Sequence, residues 1–353
     1  MLKSKLAACL VPYVPGEQPK GGNAIKLNTN ENPYPPSPKA VEAIAAYDFS
    51  KLRLYPDPTA DSLREAIAGA EGVRIENVFV GNGSDEVLSL AFAAFFDASS
   101  HPVLFPDVTY SFYKVFCSLY GITYEEISVR DDFTVNVSDY LGRKISGIVL
   151  ANPNAPTALS LGCDAFRALA EAYSDNVIIA DEAYVDFSSL PSLVPLTKEY
   201  KNLLAVKTFS KSRSLAGGRI GYAIGDAELI KTLRSVKDCF NSYTVDSLSA
   251  VAAREAVLDV GYFSECIEKI KSARSYAADE LKSLGFVVTD SDANFLFVRH
   301  EKKSGKELQS ALRSRGIIVR RFDSPRIADY LRITVGTHDE MKALVSAFKE
   351  LRL

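Results

Sequence analysis

Between residues 37 and 235, short unbroken apolar runs alternate with stretches of helical periodicity. The segment 77–97, NVFVGNGSDEVLSLAFAAFFD, reads as strand, glycine turn and helix. PVLFP (102–106), ISGIVLANPN (145–154), NVIIADEAYVDF (176–187), NLLAVKTFS (202–210) and GGRIGYAIG (217–225) read as strands. DSLREAIAGAEG (61–72), VTYSFYKVFCSLYG (108–121) and CDAFRALAEAYS (163–174) read as helices between them. Continuous Val/Ile/Leu runs separated by helices predict an α/β fold with a mostly parallel central sheet covered on both faces.

After about residue 235 the texture changes. A long helical pattern, ECIEKIKSARSYAADELKSLG (265–285), comes first. The strand-like FVVT, NFLFVRH, GIIVRRF and YLRITVG follow, with a helix between the second and third and a last helix at 338–351. The expected organisation is an N-terminal arm (1–36) rich in Pro, Gly and Asn, a large domain (37–235) and a smaller α+β domain (236–353). The arm is expected to pack on the small domain and on a partner subunit, and a cleft between the domains is the natural place for a ligand.

With 353 residues, 47% hydrophobic and 24% charged, the composition is that of a globular enzyme with a large core. A net charge of −3 argues against a nucleic-acid surface. No apolar run approaches the roughly 18 residues of a membrane span, and the proline-broken N-terminus lacks a signal peptide's apolar core. A cytoplasmic protein is expected. Cys9, Cys117, Cys163, Cys239 and Cys266 are odd in number and far apart, so buried free thiols are expected and neither disulfides nor a metal site is. Three scattered histidines, His101, His300 and His338, give a metal centre or a Ser-His-Asp site little to build on.

Three stretches carry candidate chemistry. GNGSDE (81–86) sits between strand and helix, where glycines let backbone N–H groups converge on a phosphate. Asp85 there also suits the first turn of a helix without any ligand. IIADEAY (178–184) puts Asp181 at the end of a buried strand, where a carboxylate needs a partner: a helix cap, a metal or a cationic ring nitrogen. Tyr184 could face the same cleft. In TFSKSRSLAGGR (208–219), Lys211 is flanked by Thr208 and Ser210 and followed by Arg219. A solvated loop lysine is one reading. The other is an amine forming a Schiff base with a phosphorylated carbonyl compound whose phosphate the hydroxyls and the arginine hold.

In order, GNGSDE, VTYSFY, NPNAPT, ADEAY and TFSKSRSLAGGR resemble the fold-type I pyridoxal-phosphate aminotransferases of class I/II, over nearly the whole chain. The resemblance implies pyridoxal 5′-phosphate as cofactor and Lys211 as its Schiff-base lysine and proton carrier. Asp181 would pair with the ring nitrogen, Tyr184 with the phenolic oxygen, and Tyr110 would stack on the ring. Ser84, Asp85, Thr208, Ser210 and Arg219 would hold the phosphate. Tyr55, in RLYPDPT, would reach the phosphate of a partner subunit, which implies a homodimer with shared sites. Metal ligands, nucleic acid and membrane are not expected. The family usually reads NPNNPTG; this chain has Ala155 where the second asparagine contacts the cofactor and Ala158 for the glycine. Asn152 or Asn154 could compensate. Arg213, where relatives often have an aromatic residue, reads as a surface arginine or a departure with a role.

VPYVPGEQP, LNTNENPYPPSP, RLYPDPT, GIIVRRF and YLRITVGT are most similar to the histidinol-phosphate aminotransferase family. That similarity implies a substrate phosphate gripped by Tyr13, Arg320 and Arg332, with Asn30 lining the pocket. It implies amino transfer between L-histidinol phosphate and 2-oxoglutarate. The alternatives are an aromatic amino-acid aminotransferase, a threonine-phosphate decarboxylase, and a relative that binds the cofactor without turnover.

Overall fold

The computed structural model describes residues 2–19, 24–98 and 101–351. Seven strands form the larger sheet, in the order Val78–Gly81, Gly221–Ile224, Leu203–Thr208, Val177–Asp181, Gly147–Ala151, Val103–Pro106 and Tyr124–Ile127. Only Gly221–Ile224 runs against its neighbours; the other pairings are parallel. The central strands are buried along their whole length, as their unbroken apolar runs require. Helices Ser84–Phe95 and Phe112–Tyr120 pack on one face with Ala227–Phe240, while Cys163–Ala172 closes part of the other.

The smaller sheet has five strands, in the order Ile25–Leu27, Ile317–Arg321, Leu331–Thr334, Phe295–His300 and Phe286–Val288. Ile25–Leu27, from the expected arm, pairs parallel with Ile317–Val319. Helices Gly305–Arg313 and His338–Glu350 begin with capping boxes, Ser304 with Glu307 and Thr337 with Glu340. Helix Ser247–Leu258 buries Ala252, Ala253, Ala256 and Val257 in the core beside the large sheet. Helix Val260–Ser283 buries Ile267, Ile270, Ala273 and Ala277 under the small one. The change of packing partner therefore comes at Asp259, later than the shift in texture near residue 235.

Two further departures from the sequence reading concern cysteines and edges. Cys117 and Cys266 are buried, but Cys9 and Cys239 are exposed. The strand Tyr124–Ile127, unread in the sequence, is the edge of the large sheet and carries Glu125 and Glu126 to solvent, a charged edge that discourages pairing with another chain.

Candidate active site

The carboxyl ends of the parallel strands set the site. Ala151, Asp181 and Thr208 end three adjacent strands, and Ala151 pairs directly with Asp181. In open α/β sheets this edge is where loops diverge and ligands bind. The first turn of helix Ser84–Phe95 arrives there from the adjoining strand. Gly83 makes the approach possible: its φ is +83°, and a Cβ there would lie 2.4 Å from Arg219 Nη2. Gly221 lets the antiparallel strand pass under the same turn, where a Cβ would lie 2.2 Å from the Ser84 nitrogen. Helix N-terminus, Arg219 and strand end are thus packed into one cradle.

A cavity of about 380 Å³ opens above this edge, between the two sheets. Asp181, Lys211, Tyr110 and Tyr184 line it, as do the cradle residues Ser84, Asp85, Thr208, Ser210 and Arg219. Tyr13, Asn30, Arg320 and Arg332 close it from the small-sheet side. Of the residues expected to hold cofactor or substrate, all but Tyr55 line this one cavity. That side chain is 80% exposed, stacked on Tyr243 at 4.6 Å outside the cavity.

Asp181 is buried and accepts a hydrogen bond from Tyr113 Oη at 2.7 Å and a longer one from the Ala183 N–H at 3.3 Å. Burial pushes its pKa up to about 6, against the lowering effect of Tyr113. Lys211 Nζ donates to the Thr29 carbonyl at 3.3 Å and makes no ion pair among the described residues. Burial first, and the charge of Arg332 second, bring its pKa down to about 8. Tyr184 Oη accepts from Asn30 Nδ2 at 3.0 Å. Burial raises the pKa of Tyr184, opposed by Arg332 and by the Asn30 bond. Tyr110 Oη donates to Asp85 Oδ1 at 2.7 Å, and Asp85 Oδ2 lies 3.8 Å from Arg219 Nη2. Asn30 is itself locked at φ +56° by Thr334, whose hydroxyl both accepts from its N–H and donates to its Oδ1.

Arg320 and Arg332 face each other across antiparallel strands. Arg332 Nη2 donates to the Asn28 carbonyl at 2.9 Å, but its Nε is buried without a partner. Arg320 reaches only the carbonyls of Val14 and Pro15, at 3.3 and 3.5 Å. Among the described residues no carboxylate is paired with either guanidinium. Two adjacent cations on a cavity wall, one with an orphaned donor, suit a dianion or two carboxylates in turn.

Asn152 and Asn154 do not replace the asparagine missing at 155. Asn152 exchanges hydrogen bonds with the Leu161 backbone. Asn154 is spent on Thr109, Val108 and Thr157. Ala155 lies against Ala158, Ala293, Phe295 and Tyr184, so the wall there is apolar. Ala158 adopts φ +66°, a left-handed conformation that glycine would take with less strain. Arg213 is no surface arginine. Its guanidinium lies 3.5 Å from the Phe263 ring centroid and donates to the Ala256 carbonyl at 2.9 Å.

Two site residues escaped the sequence reading. Tyr113, the donor to Asp181, lies three residues after Tyr110, a spacing that could have flagged it. Asn32 donates to the Lys211 carbonyl at 3.0 Å across 179 positions, a contact with no local sign.

Residues 22–348 match the family model described as aminotransferase class I and II. The chain belongs to this family. It is 51% identical to histidinol-phosphate aminotransferase 2 of Dechloromonas aromatica, over 99% of this chain and 98% of that one. It is 52% identical to the histidinol-phosphate aminotransferase of Acetobacter pasteurianus, over 99% and 97%. In fold it is similar to the crystal structure of the Sinorhizobium meliloti histidinol-phosphate aminotransferase in complex with pyridoxal-5′-phosphate. The TM-score is 0.88, with 22% identity over 99% of this chain and 98% of that one. As an aminotransferase the chain acts on small molecules, and no described helix is long and apolar enough to cross a membrane.

Proposed function

We propose that the chain transfers an amino group between L-histidinol phosphate and 2-oxoglutarate with pyridoxal 5′-phosphate as cofactor. The observation that carries the substrate is the facing pair Arg320 and Arg332, unpaired with any carboxylate among the described residues and directed into the cavity. The near-full-length relatives at about 50% identity support it.

The residues present fit the cofactor. The cradle formed by the turn at Gly83 with Arg219, Thr208 and Ser210 offers N–H, hydroxyl and guanidinium donors for a phosphate. Asp181, buried with one strong donor and lifted to about 6, is a carboxylate placed to meet a cation. Tyr184, fixed by Asn30, and Tyr110, fixed by Asp85, would flank the ring. When bound, the cofactor supplies an electron sink for the charge that develops on the amino-bearing carbon.

The chain's own part is proton handling and grip. With a pKa of about 8, roughly a quarter of Lys211 is neutral at pH 7.5, against about 0.1% for an ordinary lysine. Its Nζ can therefore attack a carbonyl and, once free, take and return the proton of the amino-bearing carbon. Arg320, Arg332 and Tyr13 orient the substrate through its anionic end, so that the reacting carbon meets Lys211. The same pair would accept the carboxylates of 2-oxoglutarate in the second half-reaction. A homodimer in which Tyr55 completes the partner's site fits the exposure of the Tyr55–Tyr243 stack.

A half-reaction assay tests the substrate. Arg320→Ala should weaken use of histidinol phosphate about 30-fold, the loss expected for a hydrogen bond to a charged group, and leave histidinol, which lacks the phosphate, within about threefold. Equal losses on both amines would refute the phosphate role, and faster turnover of phenylalanine than of histidinol phosphate by the parent would favour the aromatic reading.

A further inference from the structure

Behind the cavity lies a set of charges that this chemistry leaves unused. Lys207, on the buried strand Leu203–Thr208, has a side chain only 7% exposed. Its Nζ lies 2.7 Å from Glu71 Oε1 and 3.7 Å from Asp186 Oδ1. Glu71 Oε1 also accepts from Tyr222 Oη at 2.7 Å, and Tyr222 is the cross-strand partner of Lys207. Arg213 balances the set from the other side, and Glu182, held by Ser192 and Leu193, stands behind it.

Lys207 is already neutralised by Glu71, so a second carboxylate is not needed for its charge. What Asp186 alone does is accept the hydroxyl of Ser212. Ser212 is buried and is the chain neighbour of Lys211. Asp186 lies two residues after Tyr184 and five after Asp181, in the 3₁₀ turn Val185–Phe187. One carboxylate thus ties the segment that carries Asp181 and Tyr184 to the segment that carries Lys211. On the far side, Asn32 Nδ2 donates to the carbonyls of Lys211 and Ser212 at 3.0 and 3.3 Å. The lysine's backbone is held from two directions while its side chain lines the cavity, with the Thr29 carbonyl as its hydrogen-bond acceptor. Charge on Asp186 is sustained there: burial would raise its pKa, but Lys207 and Ser212 bring it below the ordinary carboxylate value.

We propose that Asp186 is a positioning residue which, through Ser212, sets the Lys211 amine against Asp181 and Tyr184. The proposal rests on the reading of Lys211 as the reactive amine. Holoenzyme of Ser212→Ala, Asp186→Ala, Asp186→Asn and the double alanine variant is compared in single-turnover half-reactions with the amino donor, alongside borohydride fixation mapped to Lys211. Displacement of a reacting group by about 1 Å can cost about 100-fold, so Ser212→Ala should slow the rate at saturating donor about tenfold, with the half-saturating donor concentration within about twofold. Asp186→Ala should lose at least as much, and the double variant no more than Asp186→Ala, because both changes break one link. Asp186→Asn, which keeps an acceptor for Ser212, should recover to within about threefold of the parent. A Ser212→Ala rate equal to the parent, or losses that multiply in the double variant, would overturn the proposal while leaving Lys211 labelled. Absence of label on Lys211 in the parent would overturn the reading beneath it, and the proposal with it.

Discussion

Asp181 should cost the cofactor-free protein stability, and Asp181→Asn should return it. Its folded pKa of about 6 lies above its ordinary 3.8, so the folded state holds a proton over that interval that the unfolded chain has released. Stability therefore falls as pH rises from about 4 to about 6, and the whole cost is present above pH 6. The gap corresponds to about 3 kcal/mol. Asparagine removes the buried charge and keeps an oxygen for Tyr113, but turns an amide N–H toward the Ala183 N–H, losing about 1 kcal/mol. The net gain is about 2 kcal/mol. With about 2.1 cal/mol/K per residue over this chain, that is a rise in Tm of about 3 °C. Thermal melts of the cofactor-free proteins at pH 7.5 and pH 4.5 measure it. The advantage should be present at pH 7.5 and largely gone at pH 4.5, while the variant has lost transaminase activity. A variant less stable than the parent at pH 7.5, or an advantage independent of pH, would mean that burial does not hold this carboxylate destabilised until a cation meets it.

Other outcomes follow from the same geometry. The pH dependence of Lys211 acylation in the cofactor-free protein should have its midpoint near pH 8, not near the usual 10.5, and Arg332→Ala should move it upward. The unfolded chain binds more protons than the folded one between those values, so stability should rise with pH there. Arg332→Ala should slow both half-reactions about 100-fold, because phosphorylated amine and glutamate each bring an anion to the same guanidinium. Gly83→Ala forces a methyl onto Arg219 at a backbone angle side chains avoid. It should lower apoprotein stability by about 1–3 kcal/mol and weaken cofactor affinity measured by titration.

The large sheet was legible because its strands are unbroken apolar runs, and most of the cavity because its residues sit in short motifs at strand ends. Local pattern failed where the fold is set by distant partners. Ile25–Leu27 is three residues in a stretch rich in turn formers, and becomes a strand only by pairing with Ile317–Val319. Tyr124–Ile127 has no apolar run, because an edge strand exposes one side. Nothing in the run NLLAVKTFS marks Lys207 as buried; its partner Glu71 lies 136 positions away. The choice between the two readings of Arg213 depends on distant partners in the same way, since Phe263 and Ala256 are supplied by helices farther along the chain. The absent asparagine was visible in the sequence, but that Asn152 and Asn154 are already committed could be learned only from their contacts.

Reducing the holoprotein with borohydride and mapping the modified peptide decides whether Lys211 is the amine that carries the cofactor in this cavity. One pyridoxyl group per chain is expected, fixed on Lys211 and lost in Lys211→Ala. Modification of a different lysine, or a Lys211→Ala protein that still fixes the cofactor covalently, would contradict it.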